Sequence, residues 1–131
     1  MSNLNLASDS TDDVCAWSML KKEAATHATK EPALSSLLHA AILEQDSLGG
    51  ALVNHLSDKL ATADFSPLKL RRVLADTIEQ NPDIVDSAAK DLLAVMDRDP
   101  ACRSHLQAFL YFKGYMAIQT HRLAHALYKQ G

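Results

Sequence analysis

Acidic residues are missing from the last quarter of this chain. All 16 aspartates and glutamates lie within residues 1–99, alongside nine of the 13 lysines and arginines, which leaves that stretch at −7. Residues 100–131 carry Arg103, Lys113, Arg122 and Lys129 against no acid, a balance of +4, and three of the six histidines. The C-terminal quarter therefore faces something anionic, or the acidic remainder of its own chain. With a net charge of −3, the sequence lacks the basic footprint of a nucleic-acid binder. Valine and isoleucine are scarce as well, nine together against 20 leucines and 20 alanines. Unbranched side chains lose little rotamer freedom in a helix, so a sheet of any size is excluded in favour of helices.

Two cysteines, Cys15 and Cys102, stand far apart with no CxxC spacing. That disfavours both a disulfide scaffold and a structural zinc site. No uninterrupted apolar run exceeds five residues, as in Leu92 to Met96, whereas a bilayer span needs about 20. Met1 to Asp13 holds three aspartates and no base, the opposite of a secretory or transit peptide. The expectation is a reduced, cytoplasmic chain with no membrane contact, and 131 residues suffice for one domain.

The punctuation predicts an all-α bundle of about six helices. Ser10-Thr11-Asp12-Asp13 is a helix-start pattern, followed by Val14, Trp17, Leu20 and Ala24 at three- and four-residue steps, for a helix over about 12–29. Pro32 opens a second, with the stripe Leu34, Leu37, Leu38, Ala41 and Ile42. Beyond Gly49-Gly50, Leu48, Ala51, Leu52, Leu56 and Leu60 mark a third. Ser66-Pro67 starts a fourth through Leu70, Val73, Leu74 and Ile78. Asn81-Pro82 leads into a fifth carrying Ile84, Val85, Ala88, Leu92 and Val95. After Asp99-Pro100, one long apolar C-terminal helix is expected from about Leu106 to Lys129.

Chemical constellations are few. His121 and His125 stand four apart and would offer two metal positions, but no acid or thiol nearby completes a site, so no metal is assigned. Lys69, Arg71 and Arg72 form a small basic cluster, with Asp76 placed to pair with Arg72. Asp99, held out of helical geometry by Pro100, reads from spacing alone as a helix N-cap.

Several quoted segments point further. Arg98-Asp99-Pro100-Ala101, then Leu110-Tyr111-Phe112-Lys113-Gly114-Tyr115, then Gln119, Arg122 and His125 in a QxxRxxH pattern closing at Gly131, together resemble the N-terminal domain of serine O-acetyltransferases. Lys21 with Glu23-Ala24, Glu31-Pro32, Leu48-Gly49 with Ala51-Leu52, Pro82, and Ser87-Ala88-Ala89 with Asp91 fit the same order. The resemblance sets residues 13–131 as that helical domain, preceded by a flexible segment 1–12 that matches nothing in the family.

This resemblance implies a two-part enzyme that acetylates serine with acetyl-CoA in the first step of cysteine biosynthesis. The family's second part is a left-handed parallel β-helix of hexapeptide repeats. No such repeat occurs here, so the general-base histidine is expected outside this chain, which is expected to be an inactive fragment without a cofactor. The family assembles as a dimer of trimers, so self-association as dimer, trimer or hexamer is expected. O-Acetylserine sulfhydrylase docks on the family's C-terminal tail, which is also missing. Carried over, Asp99 is the aspartate that reaches serine or the inhibitor cysteine, with Pro100 fixing its turn. Gln119, Arg122 and His125 are read as structural, bonding neighbouring helices or the absent β-helix. Two other classes stand beside this reading: a self-contained helical interaction module, and a polyanion binder whose affinity would fall steeply with salt.

Overall fold

The computed structural model describes residues 6, 10–98 and 102–130. Helices α1 (Thr11–Lys30), α2 (Pro32–Leu38), α3 (Leu48–Leu60), α4 (Pro67–Gln80), α5 (Asp83–Arg98), α6 (His105–Tyr111) and α7 (Lys113–Lys129) make the fold, with no strand among the described residues. No described helix is long and apolar enough to cross a membrane.

Serine marks four of the helix starts. Its hydroxyl accepts an otherwise orphaned amide at Ser10 (from Asp13, 3.0 Å), Ser47 (from Gly50, 3.1 Å), Ser66 (from Lys69, 3.3 Å) and Ser104 (from Gln107, 3.0 Å). Pro32 and Pro67 occupy first-turn positions, where a missing N–H costs nothing. A π-helical turn, His39–Leu43, continues α2, with the Glu44 amide reaching back to the His39 carbonyl at 2.8 Å. Gln45 Nε2 donates to the Ala40 carbonyl there at 2.9 Å.

Helix α1 is the hub, packing on α2, α5 and α6, while α3 pairs with α4 and α7 lies on α4 and α5. Ala16, Trp17, Leu20 and Ala24 form its buried stripe, but Val14 is 64% exposed. The π turn shifts the register of α2 so that Leu38, Ala41 and Ile42 are buried while Leu34 and Leu37 face outward. Leu60, at the end of α3, is exposed too. Gly49 is buried at the start of α3, where a Cβ would run into the Leu6 carbonyl oxygen. A glycine is needed there for close approach rather than for backbone freedom.

The expected long C-terminal helix is two helices. Phe112 is extended (φ −78°, ψ 110°) and separates α6 from α7. Phe109 and Leu110 are buried, and one uninterrupted helix would stack Lys113 and Gly114 beneath them, four residues on. Both are exposed. The break rotates the chain so that α7 instead buries Tyr115, Gln119 and Leu123. It is also less apolar around its girth than expected, for Ile118 and Tyr128 are exposed.

Phe109 is fully buried, its ring 5.4 Å from His55 and 6.2 Å from Tyr115. Burial pushes the His55 imidazole below its ordinary 6.5, and Lys59 adds to this, against the opposing Leu110 backbone and Asp58. The unfolded chain takes up this proton near pH 6.5 and the folded chain only at lower pH. The stabilising contribution is therefore complete above pH 6.5 and is lost as pH falls towards the folded value. The melting temperature is expected to drop between pH 7 and pH 5.5, and His55→Leu is expected to flatten that slope. An identical slope in the variant would contradict this assignment.

Candidate functional site

Two polar joints fix the C-terminal third of the fold. The first lies at the amino end of α6. Glu23, on α1, accepts the Leu106 amide on Oε1 at 2.9 Å and meets His105 Nδ1 with Oε2 at 2.9 Å. An ionised carboxylate only accepts, so the proton of this contact is on Nδ1. Gln107 Oε1 accepts the Arg103 amide at 3.0 Å while the Gln107 amide bonds Ser104, a reciprocal cap. Cys102 is buried, its Sγ 3.3 Å from the Ser104 carbonyl oxygen.

The second joint ties α7 to α5. Asp91 Oδ2 accepts from Gln119 Nε2 at 3.0 Å and from Arg122 Nη1 at 2.5 Å, and Arg122 also donates to Gln119 Oε1 at 2.8 Å. Gln119 is fully buried, so these bonds satisfy a side chain that would otherwise be costly to bury. Tyr115 lies one turn earlier and donates its hydroxyl to the Ala88 carbonyl at 3.0 Å. Burial, reinforced by the Asp91 charge and partly offset by Arg122, raises its pKa far above the ordinary tyrosine value. Tyr115 is therefore a neutral donor, not a proton-transfer group.

Of the three residues read as structural, Gln119 and Arg122 meet on Asp91, as an interhelical bond requires. His125 does not join them. Six residues past Gln119, it has drifted round the helix, lies exposed, and stacks on His121 at 6.3 Å between ring centroids. No three histidine, cysteine or acidic side chains gather as metal ligands among the described residues. In the basic cluster, the expected Arg72–Asp76 pair is replaced by a cross-helix one. Arg71 bonds Asp58 and Asn54 of α3, each at 3.1 Å. Asp99 and Pro100 lie outside the described residues, between Arg98 at the end of α5 and Cys102.

The sequence reading quoted Glu23 and Tyr115 only among the family-like segments and gave neither of them, nor His105, a part in the site. The serine and glutamine of the α6 cap stand in S-x-x-Q spacing and signal that helix start. Nothing local signals a bond from Glu23 to an amide 83 residues away.

The family described as "Serine acetyltransferase, N-terminal" matches residues 16–120. The chain belongs to it. It is 45% identical over 119 residues to the mitochondrial serine acetyltransferase 3 of Arabidopsis thaliana, covering 91% of this chain and 30% of that protein. It is 40% identical over 114 residues to the serine acetyltransferase of Haemophilus influenzae, covering 87% and 43%. A serine acetyltransferase solved in complex with cysteine superposes with a TM-score of 0.88 at 39% identity, over 90% of this chain and 49% of that one. The soybean enzyme complexed with serine gives 0.87 at 36% identity, over 92% and 49%. The chain thus spans about half or less of the length of the relatives it matches.

Removing Asp91 strands the buried Gln119 amide and the Arg122 guanidinium together. Asp91→Ala is expected to destabilise the domain by about 2–3 kcal/mol, and His125→Ala by less than about 0.5 kcal/mol. Urea unfolding checks both, and equal effects would contradict the division between them.

Proposed function

We propose that this chain serves as the helical N-terminal domain of a serine acetyltransferase, supplying assembly contacts and one substrate-orienting carboxylate, Asp99. The observation carrying this reading is the agreement in sequence and fold, over about nine-tenths of the chain, with serine acetyltransferases solved holding cysteine or serine. The Arg98-Asp99-Pro100 motif supplies the residue.

In the reaction, the serine hydroxyl oxygen attacks the acetyl thioester carbonyl and CoA leaves as thiol. A histidine outside this chain takes the hydroxyl proton as general base. Asp99 accepts a charge-assisted hydrogen bond from the serine ammonium and holds the hydroxyl in line for attack. Cysteine carries the same ammonium and competes through the same contact. Acetyl-CoA is the co-substrate, as a relative solved in complex with CoA supports; its site is assigned to the β-helix domain, and this chain needs no cofactor. Alone it is inactive.

The test joins this chain to the β-helix domain of the Haemophilus influenzae enzyme in place of that enzyme's own N-terminal segment. The fusion is expected to acetylate serine. Asp99→Asn is expected to raise the serine KM and the cysteine IC50 roughly ten- to hundredfold with the acetyl-CoA KM unchanged. Unchanged serine kinetics in that variant would overturn the role of Asp99. Light scattering of the chain alone is expected to show a dimer or larger assembly, and a monomer at every concentration would remove the assembly role.

A further inference from the structure

We infer that the groove between α3 and α7 is a docking surface for a second copy of this chain, which enters it with the acidic, apolar ridge formed by α2 and its π turn. The inference rests on the assembly role proposed above and names the surface that carries it.

Helices α3 and α7 both pack on α4 but make little contact with each other. The open channel between them has a volume of about 450 Å³. Leu56, Leu60 and Met116 give it an apolar floor, while Lys59, Lys113 and His121 stand on its rim. No acid lines it. Lys59 and Lys113 make no ion pair among the described residues. Along α7 the lining runs from Lys113 to Ala124, about three helical turns. A groove of that length, apolar below and cationic at its edges, fits a helix that brings an apolar face and carboxylates.

The chain carries such a helix itself. Residues 32–43, α2 with the π turn, also run for about three turns. Leu34 and Leu37 are exposed on it despite their size. Glu31 stands at one end and Glu44 at the other, both exposed. The Glu31 side chain caps no amide. From Glu31 to Asp58 the sequence has four acids and no lysine or arginine. The ridge thus supplies the charge that the groove lacks.

Ridge and groove are neighbours on one face. Lys59 lines the groove and also the cavity beside it, whose other wall includes Leu37, Ala40 and Ala41. A two-fold axis passing between ridge and groove therefore lays the ridge of each copy over the groove of the other. Both contacts form at once, the self-complementary geometry of a symmetric dimer. Lys113 and His121, in the acid-free quarter, then meet carboxylates of the second copy.

Sedimentation equilibrium of charge-reversed chains tests this. Lys59→Glu with Lys113→Glu alters the rim, and Glu31→Lys with Glu44→Lys alters the ridge, all at exposed positions. Each double variant alone is expected to raise the dimer Kd roughly tenfold or more. An equimolar mixture of the two is expected to return to near the wild-type Kd, because each copy then offers the other opposite charge at both contacts. Leu37→Asp puts a charge into the apolar seam and is expected to give monomers with unchanged helical circular dichroism. Double variants that dimerise like the wild type, or a mixture that stays dissociated, would overturn the proposal and leave the assembly role standing. So would a Leu37→Asp chain that dimerises normally. A wild-type chain that is monomeric at every concentration would overturn both.

Discussion

A helix of seven residues is too short to hold its own position and is fixed by what it packs on and by a side chain of a neighbouring helix. Helix α6 is pinned by the fully buried Phe109 and held at its amino end by the Glu23 carboxylate of α1. The extended Phe112 then frees α7 to take its own direction. Without the break, Lys113 would sit under the core. With it, Tyr115, Gln119 and Arg122 reach α5, where Ala88 and Asp91 receive them. The rest of the C-terminal third is built outward from that short helix.

This arrangement also accounts for the lopsided charge of the sequence. The acid-free quarter answers the acids of its own chain at two places, Arg122 on Asp91 and His105 on Glu23. Arg103, Lys113 and Lys129 remain exposed. Both alternatives left open by the charge pattern thus have their residues: an internal match made by side chains that need burial, and outward-facing cations between them. The internal joints fix geometry more than they add net stability, because partly exposed ion pairs contribute little by themselves.

Much of the fold was legible because helix starts are written locally. Ser10, Ser66 and the prolines at 32 and 67 announce their helices through bonds spanning three residues, and the structure places them as expected. What depended on register was harder. Val14, Leu34 and Leu37 look like stripe residues, and only the packed fold settles which face is inside. The Phe112 break left one readable trace, Lys113-Gly114 at positions that a continuous helix would have buried. Of the site, Gln119, Arg122 and His125 were singled out together by the QxxRxxH pattern and read alike as structural; Gln119 and Arg122 share Asp91, while three further residues carry His125 off that face. Glu23 was illegible because its partners, the His105 ring and the Leu106 amide, lie 82 and 83 residues further along the chain.

The proposed role of this chain turns on Asp99 as the carboxylate that holds the serine ammonium. The serine and acetyl-CoA KM of the fusion enzyme, with and without Asp99→Asn, measure this directly. The predicted result is a serine KM that rises while the acetyl-CoA KM stays where it was. Serine kinetics that do not change in the variant would contradict the account.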